Sequence, residues 1–150
     1  MFTLGATRGD GTEGDDITAN LMTVRGIPLK LRVRPFPALF EARGEAYMRD
    51  VDRIGINTRL EQAGEKPFPN TRNATAGSLK LLDSRLVARR PIRAVFYGVG
   101  ATNGVAFDTH TDELECLKAC GLPIPQLWWR CATIEEACER AEELKKREGE

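Results

Sequence analysis

Apolar residues spaced as on one face of a helix recur along the chain and predict five helices. In the first of them, Ile17, Leu21 and Val24 fall at positions i, i+4 and i+7, and Gly26 is the expected end. A stripe of this kind is buried because it packs against another element of the fold. The predicted helices cover residues 17–25, 50–64, 74–82, 111–120 and 133–147.

Individual residues predict how the first helix begins and which side chains the second helix buries. Asp15 or Asp16 is expected to cap the first helix, since its carboxylate can accept hydrogen bonds from the free N–H groups of the first turn. The second helix is expected to turn Val51, Ile54 and Leu60 inward.

Alternation of apolar and polar residues predicts strands that are exposed on one face. Strands are expected over residues 1–8, 27–34, 39–48 and 92–99. The strand over 39–48 has one strongly polar face, which belongs either to solvent or to a site. Its first face carries Phe40, Ala42, Gly44, Ala46 and Met48, and its second face carries Glu41, Arg43, Glu45 and Tyr47.

The stretch around Arg72 and Lys80 combines small side chains with two cations. Asn70, Thr71 or Asn73 can open a helix here, because each is a cap or turn former. The start of such a helix offers unpaired N–H groups and a positive dipole end, and small side chains let a phosphate come close. The stretch is therefore either a surface for an anionic ligand or a place where a helix packs tightly on a sheet.

Overall charge limits a nucleic-acid function to a local patch. Lys plus Arg and Asp plus Glu both number 22, so the net charge at pH 7 is zero, whereas proteins that bind nucleic acid over their whole surface are usually basic. The basic block of Arg85, Arg89, Arg90 and Arg93 is a candidate patch. A solvated helix face that leads into a strand explains the same residues equally simply.

The cysteines and the single histidine give little support to a metal site or a histidine-based triad. The cysteine spacing, C-x3-C-x10-C-x6-C, lacks the paired C-x2-C knuckles of common zinc sites. Reduced and mostly buried thiols are therefore expected. His110 lies in a polar stretch. The four cysteines are Cys116, Cys120, Cys131 and Cys138.

Gly9, Gly11 and Gly14 form the literal pattern G-x-G-x-x-G of a dinucleotide-binding loop. We reject that interpretation, because the carboxylates around the glycines would repel a pyrophosphate. No acidic residue closes a second strand about 20 residues further on, as that loop requires. The glycines are expected instead to form a tight turn with positive φ angles.

The length of the chain, 150 residues, suits one domain with a moderate core, so residues 1–150 are assigned to a single domain. The sequence has no apolar run long enough to cross a membrane and no secretory signal pattern in residues 1–8. These features predict a cytoplasmic protein.

Four motifs follow one another along the chain. They are A-T-R-G-D-G at 6–11, running to D-I-T at 16–18; E-A-R-G-E at 41–45; N-T-R-N at 70–73, running through A-G-S-L-K at 76–80 to Asp83; and Y-G-V-G at 97–100. Each is weak alone, but their combination is specific. Over essentially the whole chain they resemble the middle of the adenylation domain of bacterial NAD-dependent DNA ligases. The resemblance implies an α+β fold of the nucleotidyltransferase type, with mostly antiparallel sheets and packed helices.

The resemblance also implies an activity. In that family an enzyme lysine attacks NAD, nicotinamide mononucleotide leaves, and AMP passes to the 5′-phosphate of a nick before the 3′-hydroxyl displaces it. The implied cofactors are NAD and magnesium, the latter with no ligand assigned here. The implied partner is nicked double-stranded DNA during replication and repair, and the parent family is expected to be monomeric.

Four residues take roles from the resemblance, motif by motif. Arg8 matches an arginine that contacts the adenylate, and Glu45 matches a glutamate that contacts the adenosine ribose. Arg72 and Lys80 match basic residues that serve the DNA phosphates around the nick. Fixed cations and backbone donors are what phosphates require.

The sequence also departs from the family pattern. The nucleophilic lysine of the family lies in a K-x-D-G motif upstream of T-R-G-D-G, and a D-G-V-V-x-K strand lies downstream. Neither motif occurs here, so the chain is expected to be truncated at both ends, with no catalytic residue and no activity alone. Thr71 replaces a proline of the family motif, and Lys80 replaces an arginine. Lysine keeps the positive charge but cannot make the bidentate hydrogen bonds of a guanidinium.

Two alternatives to a piece of a working ligase stay open. One is a non-catalytic module that binds nucleotide or DNA with the chemistry lost. The other is a degenerate remnant that does not fold stably, because missing neighbouring strands would leave sheet edges and apolar faces exposed.

Overall fold

The computed structural model describes residues 1–35 and 37–147, in which helices accompany an antiparallel sheet of two strands. This mixture agrees with the expected combination of helices and antiparallel strands. The elements, in chain order, are α1 (Thr18–Leu21), β1 (Phe40–Tyr47), α2 (Asp50–Gln62), α3 (Thr71–Leu79), α4 (Ser84–Ala88), β2 (Arg93–Thr102), α5 (His110–Ala119) and α6 (Ile134–Arg147).

Strands β1 and β2 pair with Glu45 opposite Val95 and Ala46 opposite Ala94. Gly44 has no room for a side chain, since a Cβ there would collide with the carbonyl of Val95. The predicted alternation of faces in β1 is confirmed except at Gly44, which is exposed although it was assigned to the packed face. Phe40, Ala42 and Ala46 are half-buried and Met48 is buried, whereas Glu41, Arg43, Glu45 and Tyr47 are exposed.

A first core joins the packed face of β1 to the helices α1–α4. Ala74 and Val87 are almost inaccessible there, at 0% and 1% exposure. Burial of a Val or Leu side chain contributes about 1.5–3 kcal/mol, so this core is a main source of stability. Its buried members are Ile17, Val24, Met48, Ile56, Ala74, Leu79, Val87 and Ile92.

A second, smaller core lies where α5 packs on β2. Leu114, Leu117, Cys120 and Leu122 are buried in it. Burial raises the pKa of the Cys120 thiol to about 11, with Cys116 adding to the effect. A thiol of that kind stays protonated and inert at neutral pH.

All four cysteines are free thiols. The expectation that they are mostly buried is wrong, because only Cys120 is buried. Cys116 and Cys131 are half-buried and Cys138 is exposed, since α6, which carries Cys138, buries none of its residues.

Two of the predicted strands, over 1–8 and 27–34, are not formed. An isolated bridge between Ala6 and Asp16 is the only pairing in the described part of these segments. Leu31 and Val33 still pack against the second core, which explains the alternation in the sequence. A strand, however, needs a neighbour along its length, and the N–H of Arg32 instead donates to the carbonyl of Cys120 after α5.

The first predicted helix, over 17–25, is helical only in α1. Beyond α1 the chain continues through turns to Gly26, whose φ is 97°. The predicted stripe is nevertheless confirmed, because Ile17 and Val24 are buried and Leu21 packs against them.

The buried side of α2 differs from the prediction. Val51 and Ile54 are 66% and 53% exposed, so their assignment to the inner face is wrong. The inward assignment of Leu60 is confirmed, since it packs against the core together with Ile56, one turn earlier. The Asn57 side chain also lies on this side, where it exchanges two hydrogen bonds with the backbone of Phe68.

Helix ends follow their capping residues. Asn70 opens α3, with its Oδ1 accepting the N–H of Asn73 at 2.8 Å, so this helix begins and ends before the predicted 74–82. Asp83 opens α4, which the sequence did not predict. Thr109 and Asp112 form a capping box at α5.

Helix α6 buries none of its described residues, and Ile134 is 71% exposed. Its first turn is held by the Glu136 carboxylate, which accepts the N–H of Ala132 at 2.9 Å. Among the described helices, none is both long and apolar enough to span a membrane.

Candidate functional site

The T-R-G-D-G motif forms a tight turn that its glycines permit. Gly9 and Gly11 have φ angles of 56° and 100°, as predicted. Gly14 is needed for another reason, because a Cβ there would collide with the carbonyl of Thr7. The Arg8 carbonyl accepts the N–H of Gly11 at 3.0 Å, and the Arg8 side chain stays exposed.

The carboxylate of Asp10 lies inside this turn. Its Oδ1 accepts the N–H groups of Thr12 and Glu13, both at 2.8 Å. These hydrogen bonds, that of Glu13 first, hold the pKa of Asp10 below its usual value. The N–H groups that a dinucleotide-binding loop would offer to a pyrophosphate are thus taken by the turn itself, in agreement with our rejection of that interpretation.

The two acids that follow the turn have different partners. Asp16 accepts hydrogen bonds from the N–H and the hydroxyl of Thr18, at 2.9 Å and 2.6 Å, and so holds the start of α1. Asp15 instead binds Lys80, with 2.9 Å between its Oδ2 and the ammonium Nζ. The N-cap of α1 is nevertheless Ile17, without a side-chain hydrogen bond to the helix, so the prediction that Asp15 or Asp16 caps it is wrong.

Asn20 fixes the backbone on both sides of Lys80. Its Nδ2 donates to the carbonyls of Leu79 and Leu81, at 2.7 Å and 2.8 Å, and the side chain is buried. This residue was missed in the sequence. The available signal was an amide side chain three positions after Ile17, on a stripe that is otherwise apolar.

These contacts border an open cleft of about 700 Å³ between the α1 segment and the end of α3. Asp15, Thr18, Asn20, Lys80 and Leu82 are among its lining residues. The volume is in the range of small-molecule sites, roughly 300–1,000 Å³. Its lining carries the ammonium of Lys80 beside the carboxylates of Asp15 and Asp16, so Lys80 is the one charged group among the described lining residues that suits a phosphate.

Arg72 lies in the first turn of α3, with its side chain exposed. The small residues that follow it serve packing, since Ala74, Thr75 and Ser78 are all buried. The packing alternative from the sequence is therefore confirmed for these three. It leaves the exposed Arg72 free for a ligand, because within the described chain no acid pairs with it.

Glu45 projects from the exposed face of β1. On the same face Arg43 donates to Glu41 at 2.8 Å and, as the largest cause, lowers the pKa of that carboxyl. The other oxygen of Glu41 accepts the N–H of Ala101 at 3.3 Å. Glu45 has no such partner among the described residues, so its oxygens remain available as acceptors on a rigid strand.

The structure connects only some of the four residues singled out in the sequence. Lys80 lines the cleft and contacts the acid that follows the T-R-G-D-G turn. Arg8, Glu45 and Arg72 do not line it. The described residues also contain no group of three or more His, Cys, Asp or Glu side chains that could hold a metal ion.

Comparison with known proteins places this arrangement in a family. A family model described as the NAD-dependent DNA ligase adenylation domain matches residues 1–149. The DNA ligase of Methylacidiphilum infernorum is 50% identical over 139 residues, which cover 93% of this chain and 20% of that protein.

Two further relatives give the same picture. The DNA ligase of Stutzerimonas stutzeri is 52% identical over 120 residues, covering 80% of this chain and 15% of its own. The DNA ligase of Salinibacter ruber is 50% identical over 122 residues, covering 80% and 18%. The chain thus spans a fifth or less of the length of these relatives.

Proposed function

Because the chain belongs to the NAD-dependent DNA ligase adenylation-domain family, we propose that it forms the central part of such a domain in an enzyme that seals DNA nicks. The observation that carries the proposal is the Lys80 cleft, in which the motif at the turn and the motif at α3 meet through the pair Asp15–Lys80. A cation held in this way suits a phosphate at a nick.

The proposed reaction has three steps. A lysine of the enzyme attacks NAD and releases nicotinamide mononucleotide, the AMP passes to the 5′-phosphate of the nick, and the 3′-hydroxyl then displaces AMP. The 150 residues contain no K-x-D-G motif. We therefore assign binding roles to this chain and no nucleophile.

Arg8 and Glu45 are proposed to contact the adenylate. Arg8 is an exposed guanidinium on a turn with a fixed backbone, and it can bind a phosphate oxygen with two N–H groups. Glu45 is a carboxylate on a paired strand, without a protein donor among the described residues. It can accept hydrogen bonds from the ribose hydroxyls.

Lys80 and Arg72 are proposed to bind the phosphates around the nick. Lys80 must exchange Asp15 for a phosphate, and both side chains are more than half exposed, at 63% and 60%. An exposed ion pair contributes about 0.2–1 kcal/mol, so the exchange is easy. The carboxylate keeps the lysine extended toward the cleft until the phosphate arrives.

The remaining expectations belong to the same proposal. The parent domain is of the nucleotidyltransferase type, residues 1–150 lie in a single domain, and the enzyme is a cytoplasmic monomer that uses NAD and magnesium. The described residues do not provide a ligand set for magnesium, so we derive no step through it.

Two measurements on the 150-residue chain test this proposal. Incubation with NAD labelled in its AMP half is expected to leave no covalent label, since the nucleophile is missing. The chain is expected to bind nicked duplex more tightly than intact duplex of the same sequence. The double variant Arg72→Ala/Lys80→Ala should lose that preference, while labelling of a lysine, or an unchanged preference, would contradict the assignment.

A further inference from the structure

A second recess lies away from the Lys80 cleft, where the chain passes from α4 into β2. Its volume is about 280 Å³. Four arginines line it: Arg25 from the turn after α1, Arg89 and Arg90 from the α4–β2 connection, and Arg93 from the start of β2. The space is slightly below the roughly 300–1,000 Å³ of sites for drug-sized ligands, so it suits a single small group.

The backbone that carries these arginines is anchored in the core. Arg25 follows the buried Val24. Arg89 and Arg90 lie between Val87 and Ile92, which are 1% and 3% exposed. The N–H of Arg90 also donates to the carbonyl of Val87 at 2.8 Å. The fold therefore sets the backbone positions of these arginines before any ligand binds.

Within residues 1–35 and 37–147, none of the four arginines of the recess has an ion-pair partner. Two acids interact electrostatically with these arginines, Asp52 with Arg93 and Asp83 with Arg89, but each acid is already paired with another arginine. Arg49 hydrogen-bonds Asp52 at 2.9 Å, and Arg85 binds Asp83 at 2.9 Å. The positive charge of the recess thus remains available to a ligand.

The preference of cations for helix C-termini is a simpler explanation, but it accounts for only part of the arginine cluster. Cations are favoured at helix C-termini, and Arg89 is the C-cap of α4. That preference does not explain Arg25, which comes from a distant part of the sequence and reaches the recess because α1 packs on α4.

We propose that this recess binds one backbone phosphate of a nucleic acid, at a position away from the nick. Guanidinium groups can bind a phosphate with two parallel N–H donors, and four arginine residues line this one small space. A phosphodiester offers the same oxygens in nicked and intact duplex. The proposal rests on the proposed function for its ligand, but it concerns different residues from Arg72 and Lys80.

The test compares three forms of the 150-residue chain in binding to nicked and to intact duplex over a series of salt concentrations. They are the unsubstituted chain, Arg25→Gln/Arg89→Gln, and a control that loses the same charge, Arg130→Gln/Arg147→Gln. All four substituted residues are exposed. A fourth form, Arg25→Lys/Arg89→Lys, keeps the charge, and a thermal melt of each form reports folding.

The recess variant is expected to bind both duplexes about 10-fold more weakly and to lower the slope of log affinity against log salt by about 1. The lysine form should recover only part of the loss. A recess variant that behaves like the control would overturn the proposal, whatever the Arg72/Lys80 variant does. If the unsubstituted chain binds nicked and intact duplex equally well, the proposed function is contradicted, whereas weaker binding of the recess variant to both duplexes would still support the recess.

Inorganic diphosphate separates a nucleic-acid site from one for a small free phosphate. If diphosphate raises the melting temperature of the unsubstituted chain but not of Arg25→Gln/Arg89→Gln, and neither duplex binds, the recess takes free phosphate and the nucleic-acid proposal is overturned. If neither probe binds, the recess is not an anion site.

Discussion

The ammonium of Lys80 lies 2.9 Å from the carboxylate of Asp15, although the two residues are far apart in sequence. This pair joins the T-R-G-D-G turn to the end of α3 and places a cation at the edge of an open cleft.

Replacement of Asp15 by Asn tests whether Asp15 competes with DNA phosphates for Lys80. The pair is exposed, so the free energy of unfolding should change by less than about 1 kcal/mol. Because Lys80 is then released and one negative charge is removed, affinity for nicked duplex at low salt should rise severalfold. The control is Asp108→Asn, another exposed acid. Equal effects of the two variants would mean that only net charge matters.

Replacement of Asn20 by Ala tests the positioning of Lys80. It leaves the carbonyls of Leu79 and Leu81 without their donor in a buried place, and the free energy of unfolding should fall by about 1–3 kcal/mol. Thr58→Ala removes an exposed hydrogen bond to the carbonyl of Ile54 and should change it by no more than about 0.5 kcal/mol. Urea unfolding measures both, and similar values would count against the role of Asn20.

Two glycine substitutions should act in opposite directions. In Gly9→Ala a side chain is forced into a positive φ of 56° and against the carbonyl of Glu13, so stability should fall by roughly 2 kcal/mol or more. Gly55 lies inside α2 with open space around it. Gly55→Ala should raise stability by roughly 0.5–1 kcal/mol. Thermal unfolding of the two glycine variants measures both effects. If Gly9→Ala leaves stability unchanged, the turn is not formed as described.

Stability should fall in acid partly because of Asp10. Its folded pKa lies below the usual value of about 3.9, owing to hydrogen bonds from the N–H groups of Glu13 and Thr12. A lowered pKa adds stability that is complete above the unfolded value and is lost as pH falls through the folded value. Melting temperatures from pH 7 to pH 2.5 should therefore drop less steeply below pH 4 for Asp10→Asn than for the unsubstituted chain. Parallel curves would contradict this contribution.

Features set by local geometry were predictable from the sequence. The polar face that carries Glu45 follows from the alternation of side chains along a strand. The positive φ angles of Gly9 and Gly11 follow from the properties of glycine. Arg72 and Lys80, which are proposed to bind phosphates, were recognisable from their motif.

Features that depend on distant partners were not predictable in the same way. The segments 1–8 and 27–34 alternate as strands do, but no strand pairs along them, and alternation alone cannot supply one. The contacts of Asn20 with the Leu79 carbonyl and of Asp15 with Lys80 were not recognised. These partners come close only in the folded chain. The inner side of α2 was misjudged for the same reason, since the covered side carries Asn57, which is hydrogen-bonded to the backbone of Phe68 further along the chain.

The most direct test of the central claim is nick sealing by a chimera. In the DNA ligase of Methylacidiphilum infernorum, the segment that matches this chain at 50% identity would be replaced by it. We expect the chimera to become adenylated and to seal nicks. Arg72→Ala/Lys80→Ala in the inserted segment should lower sealing at least about 100-fold, as expected for two lost phosphate contacts, with little effect on adenylation. A chimera that folds but cannot be adenylated, or one that seals equally well without Arg72 and Lys80, would contradict the central claim.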